Sequence, residues 1–183
     1  MARVLFFLLA IGLALPALAE RLGLGRELNA EELRAYDVTP IVLPDGRGLP
    51  EGEGDYAAGF EIYAFECASC HGPNGEGAPF DRLVAADPFS TELPPHRFAI
   101  GNYWPYATTL FDYVYRAMPF QEPHRLSPDE VYALVAFLLV ENGIVPEDFI
   151  ASPETLPGVR MPARERLRLD PTTRELYPWI QLP

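Results

Sequence analysis

Cys67 and Cys70 stand three positions apart and His71 follows at once, in Cys67-Ala68-Ser69-Cys70-His71. Two thiols on one helical turn can each add to a vinyl group of a porphyrin, and the adjoining imidazole then lies under the metal. C-x-x-C-H is accordingly the attachment pattern of a c-type haem. Three other chemistries fit less well. A zinc site takes four N or S ligands, yet these are the only two cysteines in 183 residues. His96 and His124, the other histidines, do not fall at finger spacing. A thioredoxin-like pair wants a βαβ setting, and neither flank of Cys67 reads as a strand. A structural disulfide leaves His71 unexplained. The reading is one covalent haem c, tethered by Cys67 and Cys70 and ligated by His71.

An iron held by one imidazole has a second axial position. Beyond Met1 the chain offers Met118 and Met161. Met118 lies in Arg116-Ala117-Met118-Pro119-Phe120, where an extended loop before the last helix can swing a thioether over the haem face opposite His71. In another setting it would be read as an ordinary core methionine. Met161 sits in a proline-rich tail and is expected to pack on the surface. His96 and His124 are conceivable second histidines, each more simply read as solvated or locally bonded. His71 with Met118 gives a closed, six-coordinate iron of raised potential, which moves electrons and binds no substrate. A haem enzyme or sensor with an open distal position is the competing class.

The compartment agrees. Arg3, the apolar run Val4 to Leu15 and the small-x-small site Ala17-Leu18-Ala19 have the parts of a secretory signal. Cleavage after Ala19 points to a periplasmic or otherwise exported protein. An uncleaved leader serving as membrane anchor is the alternative, although twelve apolar residues fall short of the ~20 that span a bilayer. Of 14 basic and 26 acidic residues, the leader removes one arginine, so the mature charge of −13 disfavours nucleic acid and anionic membrane surfaces. A partner with a basic docking patch fits better. All 14 basic residues are arginine, a compositional feature from which no function follows.

The positioning elements read as helices between proline- and glycine-rich segments. Residues 20–55 form an N-terminal arm holding one short helix, Asn29 to Tyr36, with Asn29 as cap; Pro40 to Gly54 is expected to run irregularly over the surface. A helix from Tyr56 to Cys67, capped by Asp55, delivers the haem motif. Breakers at Gly72-Pro73-Asn74-Gly75, Pro79, Pro88, Pro94-Pro95 and Pro105 mark a long loop that a haem face would organise. A helix follows from Ala107 to Ala117. The clearest helix, Pro128 to Asn142, has the S-x-x-E capping box of Ser127 and Glu130 with Pro128 at its first position. Asn142-Gly143 ends it with residues that tolerate a left-handed turn, and its apolar residues cover enough circumference for deep packing. The domain map is a signal at 1–19, the arm, a haem domain at 56–143, and a Pro-rich extension at 144–183 packed on the domain or a partner.

The block Gly59-x-x-Ile62-Tyr63-x-x-x-Cys67-Ala68-Ser69-Cys70-His71-Gly72, the Met118-Pro119 loop and Leu134 to Phe137 together resemble class I cytochrome c. That resemblance implies an all-α, class I cytochrome c fold with long Pro/Gly-rich loops and extended terminal arms. It also implies that Gly59 lets the first and last helices cross closely, with Tyr63 in the family's aromatic place and Leu134 and Phe137 opposite. A tolerated helix glycine, costing ~1 kcal/mol, is the alternative for Gly59. The run Gly101 to Tyr113, Arg116 to Phe120 and Leu126 to Leu134 resembles, more narrowly, the cytochrome subunit of bacterial sulfite dehydrogenases and of the related sulfane dehydrogenase.

The narrower resemblance implies that the haem accepts electrons from a molybdenum sulfite-oxidising dehydrogenase and passes them to another cytochrome or an oxidase. A general periplasmic carrier serving a terminal oxidase is the alternative. Tyr103, Trp104 and Arg97 are candidate partners of the haem propionates, against a plainer reading of the aromatics as loop anchors. Some members of that family hold two haems, whereas the single C-x-x-C-H here holds one. The family's proline-leucine segment, whose carbonyl accepts from the haem histidine, has no clear counterpart, and Pro79 is its candidate.

Overall fold

Side-chain caps mark where the N-terminal helix, the helix of the cysteine motif and the last core helix begin. The computed structural model describes residues 25–35, 41–87, 89, 98–166, 168 and 170–176. The signal segment, Arg97 and His96 lie outside them. Within the described residues the helices are α1 Ala30–Ala35, α2 Tyr56–Glu66, α3 Ala68–His71, α4 Ile100–Tyr103, α5 Ala107–Ala117, α6 Pro128–Glu141 and α7 Pro171–Leu176. Single 3-10 turns lie at Leu156–Gly158 and Arg164–Arg166. No strand occurs among the described residues, and one antiparallel bridge pairs Gly54 with Ala151. The chain divides into two units, residues 1–38 and 39–183. In the first, Asn29 Oδ1 caps α1 by accepting from the Glu31 and Glu32 N–H groups at 2.9 and 3.0 Å.

In the second unit Asp55 caps α2, accepting from the Ala58 N–H at 2.9 Å. The capping box of α6 is reciprocal: Ser127 Oγ accepts from the Glu130 N–H at 3.3 Å, and the Glu130 carboxylate accepts from the Ser127 N–H at 2.7 Å. The far end of α6 makes the expected left-handed turn at one residue of the pair. Gly143 alone takes the left-handed conformation, at φ 64°, while Asn142 stays right-handed at φ −85° with its side chain buried.

Helix α6 is the axis of the core, with every residue from Val131 to Leu139 buried. Helix α2 packs directly on it, and the rings of Tyr56, Phe60 and Tyr63 gather on Phe137 at centroid distances of 5.5, 6.0 and 4.8 Å. The approach is set by two glycines. A Cβ on Gly59 would lie 2.0 Å from the Ala133 carbonyl oxygen, and one on Gly54 would lie 2.1 Å from the Ala133 nitrogen. Gly54 shares this role although it precedes the helix.

The arm expected on the surface and the proline-rich tail after α6 both supply core residues. The arm from Ile41 to Gly54 crosses α5 and α6: the Val42 N–H donates to the Asp112 carboxylate at 3.1 Å, Tyr132 Oη donates to the Pro50 carbonyl at 2.7 Å, and the Glu53 N–H donates to Asp129 at 2.9 Å. After α6 the chain sends Leu156, Val159, Met161 and Ala163 into the interior. Met161 is therefore a core residue at 2% exposure, which corrects its expected surface position. Burying an apolar side chain of that size stabilises by about 1.5–3 kcal/mol, and a tail of alternating Pro and apolar residues can supply it without a helix.

Gly59→Ala should lower unfolding stability by about 3 kcal/mol, since the methyl meets helix backbone that cannot yield. Gly158→Ala, where the added Cβ meets nothing within 4 Å, should stay within about 0.5 kcal/mol. Urea denaturation of the haem-loaded variants measures both, and equal losses would disprove the steric account.

Candidate functional site

Cys67 is the joint between α2 and α3. Its N–H still donates to the Tyr63 carbonyl at 2.9 Å, while its own carbonyl accepts from Cys70 and His71 at 3.0 and 2.9 Å. The turn so formed holds Cys67, Cys70 and His71 together, each half-buried. Gly72 stops it at φ 84°, a left-handed value. Tyr63 then fixes the stop from α2, donating from Oη to the Gly72 carbonyl at 2.7 Å inside the core.

His71 Nδ1 lies 2.7 Å from the Asp81 carbonyl oxygen. A carbonyl can only accept, so Nδ1 carries the proton and the lone pair sits on Nε2. A metal-binding imidazole is commonly held this way, and the outer hydrogen bond both aims the ring and raises its basicity. The carbonyl belongs to Asp81 rather than to the expected Pro79. The loop that presents it is tied down by its backbone. Gly77 N–H donates to the His71 carbonyl at 2.8 Å, Phe80 N–H to that of Cys70 at 3.0 Å, and Leu83 and Val84 N–H both to that of Gly75 at 2.9 and 3.0 Å. No side-chain letter announces such a partner; a backbone oxygen is found only when the loop is folded.

Met118 ends α5 in extended backbone, φ −122° and ψ 147°. It is half-buried and packs against the core cluster, as Cys67, Ala68, Leu83 and Trp104 also do. The segment after it is tied to the haem motif's helix, because Arg125 pairs with Glu66 at the end of α2 and with Glu122. Met161 is packed within the core cluster. His124 is exposed and stands edge-on to Tyr115, centroids 5.3 Å apart. Tyr103 stacks on Phe98 at 4.6 Å, and Trp104 meets Tyr113 edge-on at 5.3 Å.

These groups fit a haem. Two thiols and a tautomerically fixed imidazole share one turn, a thioether lies in the loop before α6, and a rim of half-buried apolar side chains adjoins them. Burial, followed by the Glu66 charge and Cys70, pushes the Cys67 thiol up to about 12. In its free form that thiol stays protonated at neutral pH and is a poor nucleophile.

Residues 54–138 match the family described as cytochrome c oxidase, cbb3-type, subunit III. A search of curated proteins finds no match. With its helical fold and these comparisons, the chain belongs to the class I c-type cytochromes, electron-transfer proteins that bind haem c. Within that class it is similar to the crystal structure of the sulfane dehydrogenase SoxCD from Paracoccus pantotrophus. The identity is 43%, over 89% of this chain and 80% of that one, with a TM-score of 0.71.

Burial raises the Tyr63 and Tyr132 phenols well above their ordinary 10.0. In the unfolded chain they ionise near 10, while in the fold they stay protonated, so their contribution is complete below pH 10 and is lost as pH rises beyond it. Tyr63→Phe should therefore flatten the alkaline fall in stability. Near pH 7 the same change should cost about 1–2 kcal/mol, because the buried Gly72 carbonyl loses its donor. Unfolding curves at pH 7 and pH 11 test both, and an unchanged alkaline slope would count against the ionisation argument.

Proposed function

We propose that the protein is an exported, mono-haem c-type cytochrome that accepts electrons from a molybdenum dehydrogenase oxidising sulfite and passes them to another cytochrome or an oxidase. The observation that carries the haem reading is the bond from His71 Nδ1 to the Asp81 carbonyl at 2.7 Å, in a chain whose single C-x-x-C-H provides one attachment site. Haem c, when bound, supplies one-electron exchange between ferric and ferrous iron.

The chain's residues divide that work. Cys67 and Cys70 tether the porphyrin. His71 presents Nε2 to the iron, its ring held by Asp81. Met118 offers its thioether from the other face, a reading supported by its half-buried place at the core edge and by the commitment of Met161 to the interior. Tyr103 and Trp104, with Arg97, are assigned to the propionates. With His71 and Met118 added to the four porphyrin nitrogens, a bound iron would keep no vacant position, which favours electron transfer over a haem enzyme or sensor.

The sulfur partner is supported by the run from Gly101 to Leu134 and by the similarity to a sulfane dehydrogenase. Oxidation of sulfite with water yields sulfate, two protons and two electrons, and a one-electron carrier takes the electrons singly. A sulfane-sulfur donor is the second reading, favoured by that 43% identity. A general periplasmic carrier is the third. Export rests on the leader, and among the described residues no helix is long and apolar enough to cross a membrane. The formal charge of −12 suits a partner with a basic patch, an encounter that salt weakens.

Stopped-flow mixing with sulfite and the dehydrogenase at low ionic strength should produce the ferrous haem spectrum, more slowly as salt is added. No reduction would remove sulfite as donor, and reduction with a sulfane donor alone would establish the second reading. Met118→Ala should abolish the long-wavelength charge-transfer band of a methionine-ligated ferric haem and lower the potential, while Met161→Ala keeps the band. The reverse pattern would overturn the ligand assignment.

A further inference from the structure

Asn142, at the end of α6, is 1% exposed, and its side-chain amide is satisfied on all sides. Oδ1 accepts from the Ala85 N–H at 2.9 Å and from the Gly101 N–H at 3.1 Å. Nδ2 donates to the Leu83 carbonyl at 3.1 Å and to the Leu138 carbonyl at 2.8 Å. An amide of this type has two donors and two acceptor lone pairs, so one side chain uses its whole capacity to join three segments: the loop after His71, helix α4 and helix α6. A helix-ending residue needs none of this, and Gly143 already makes the left-handed turn at φ 64°.

The segment Asn142 grips is the one that presents the Asp81 carbonyl. Leu83, two residues beyond Asp81, gives its carbonyl to Asn142 Nδ2 and also to the Ile100 N–H at 3.2 Å, and its N–H goes to Gly75. Between Pro79 and Ala85 the loop has no helix or strand of its own, so its position depends on such ties. We propose that Asn142 is a positioning residue for the axial histidine. It anchors the 83–85 segment to α6, and thereby holds the Asp81 oxygen at the distance and angle that orient His71 and set its basicity. The inference rests on the reading of His71 as an iron ligand.

Loosening the Asp81 carbonyl weakens its bond to Nδ1–H, makes the imidazole a poorer donor and favours ferrous iron. Asn142→Leu in the haem-loaded protein should speed solvent exchange of the His71 Nδ1 proton, followed by NMR, by tenfold or more. It should also shift the redox equilibrium toward the reduced form by about threefold, since the outer partner of a ligating imidazole tunes the metal. Val131→Ala, a cavity in the same helix, serves as a control for lost stability alone and should leave both readouts unchanged.

If Asn142→Leu leaves both readouts at their wild-type values, or if Val131→Ala moves them equally, the proposal fails. Should Asn142→Leu not fold, the wild-type protein decides. The His71 Nδ1 proton and the Ala85 and Gly101 amides should exchange in one cooperative opening, and a Nδ1 proton exchanging at least tenfold faster than both amides overturns the proposal. Failure of the ligand reading would look different, as absence of hyperfine-shifted His71 protons from the wild-type spectrum.

Discussion

Helix α2 lies against α6 with no side chain between them at the point of closest approach. The hydrogen atoms of Gly59 and Gly54 face the backbone of Ala133, where any Cβ would come within about 2 Å. Everything that delivers the haem motif follows from that contact. With the helices this close, Tyr56, Phe60 and Tyr63 reach Phe137, and α2 points its C-terminal end, with Cys67, Cys70 and His71, at a fixed place beside the core. Close packing of this kind responds to single methyl groups, so the site inherits its position from a contact that makes no chemistry of its own.

The two sides of the site are then secured by different means. On the His71 side the loop is held by backbone hydrogen bonds and by the buried amide of Asn142, whose four partners make it strongly directional. On the Met118 side the chain is held by the end of α5, by apolar packing and by ion pairs of Arg125 with Glu66 and Glu122. Arg125 is exposed, and exposed ion pairs are weakened by water and salt. The His71 loop thus carries the more directional set of bonds.

The helix limits were legible because caps act within three residues: Asp55 with Ala58, Ser127 with Glu130. The haem chemistry was legible for the same reason, since two thiols and an imidazole must lie on one turn. Legibility failed where a residue's partner lies far along the chain. Met161 stands among prolines and looked peripheral, yet it is buried because the tail folds back over the core. Asn142 beside Gly143 looked like a turn former, because an Asn-Gly pair gives no hint of amides fifty-seven and forty-one residues away. Gly54 ended what read as a surface arm, and only the crossing of α2 on α6 shows why it has no side chain.

By itself the sequence carried the C-x-x-C-H motif of Cys67, Cys70 and His71, the acidic charge balance and the extent of the main helices, all properties of side-chain chemistry and short spacing. The tertiary structure decided which carbonyl meets His71, which methionine is taken up by the core and which loop Asn142 holds. The physical reason is that backbone oxygens are alike in every residue, so a sequence cannot label one as a partner. Only the packing of distant segments selects Asp81 as the partner of the His71 ring.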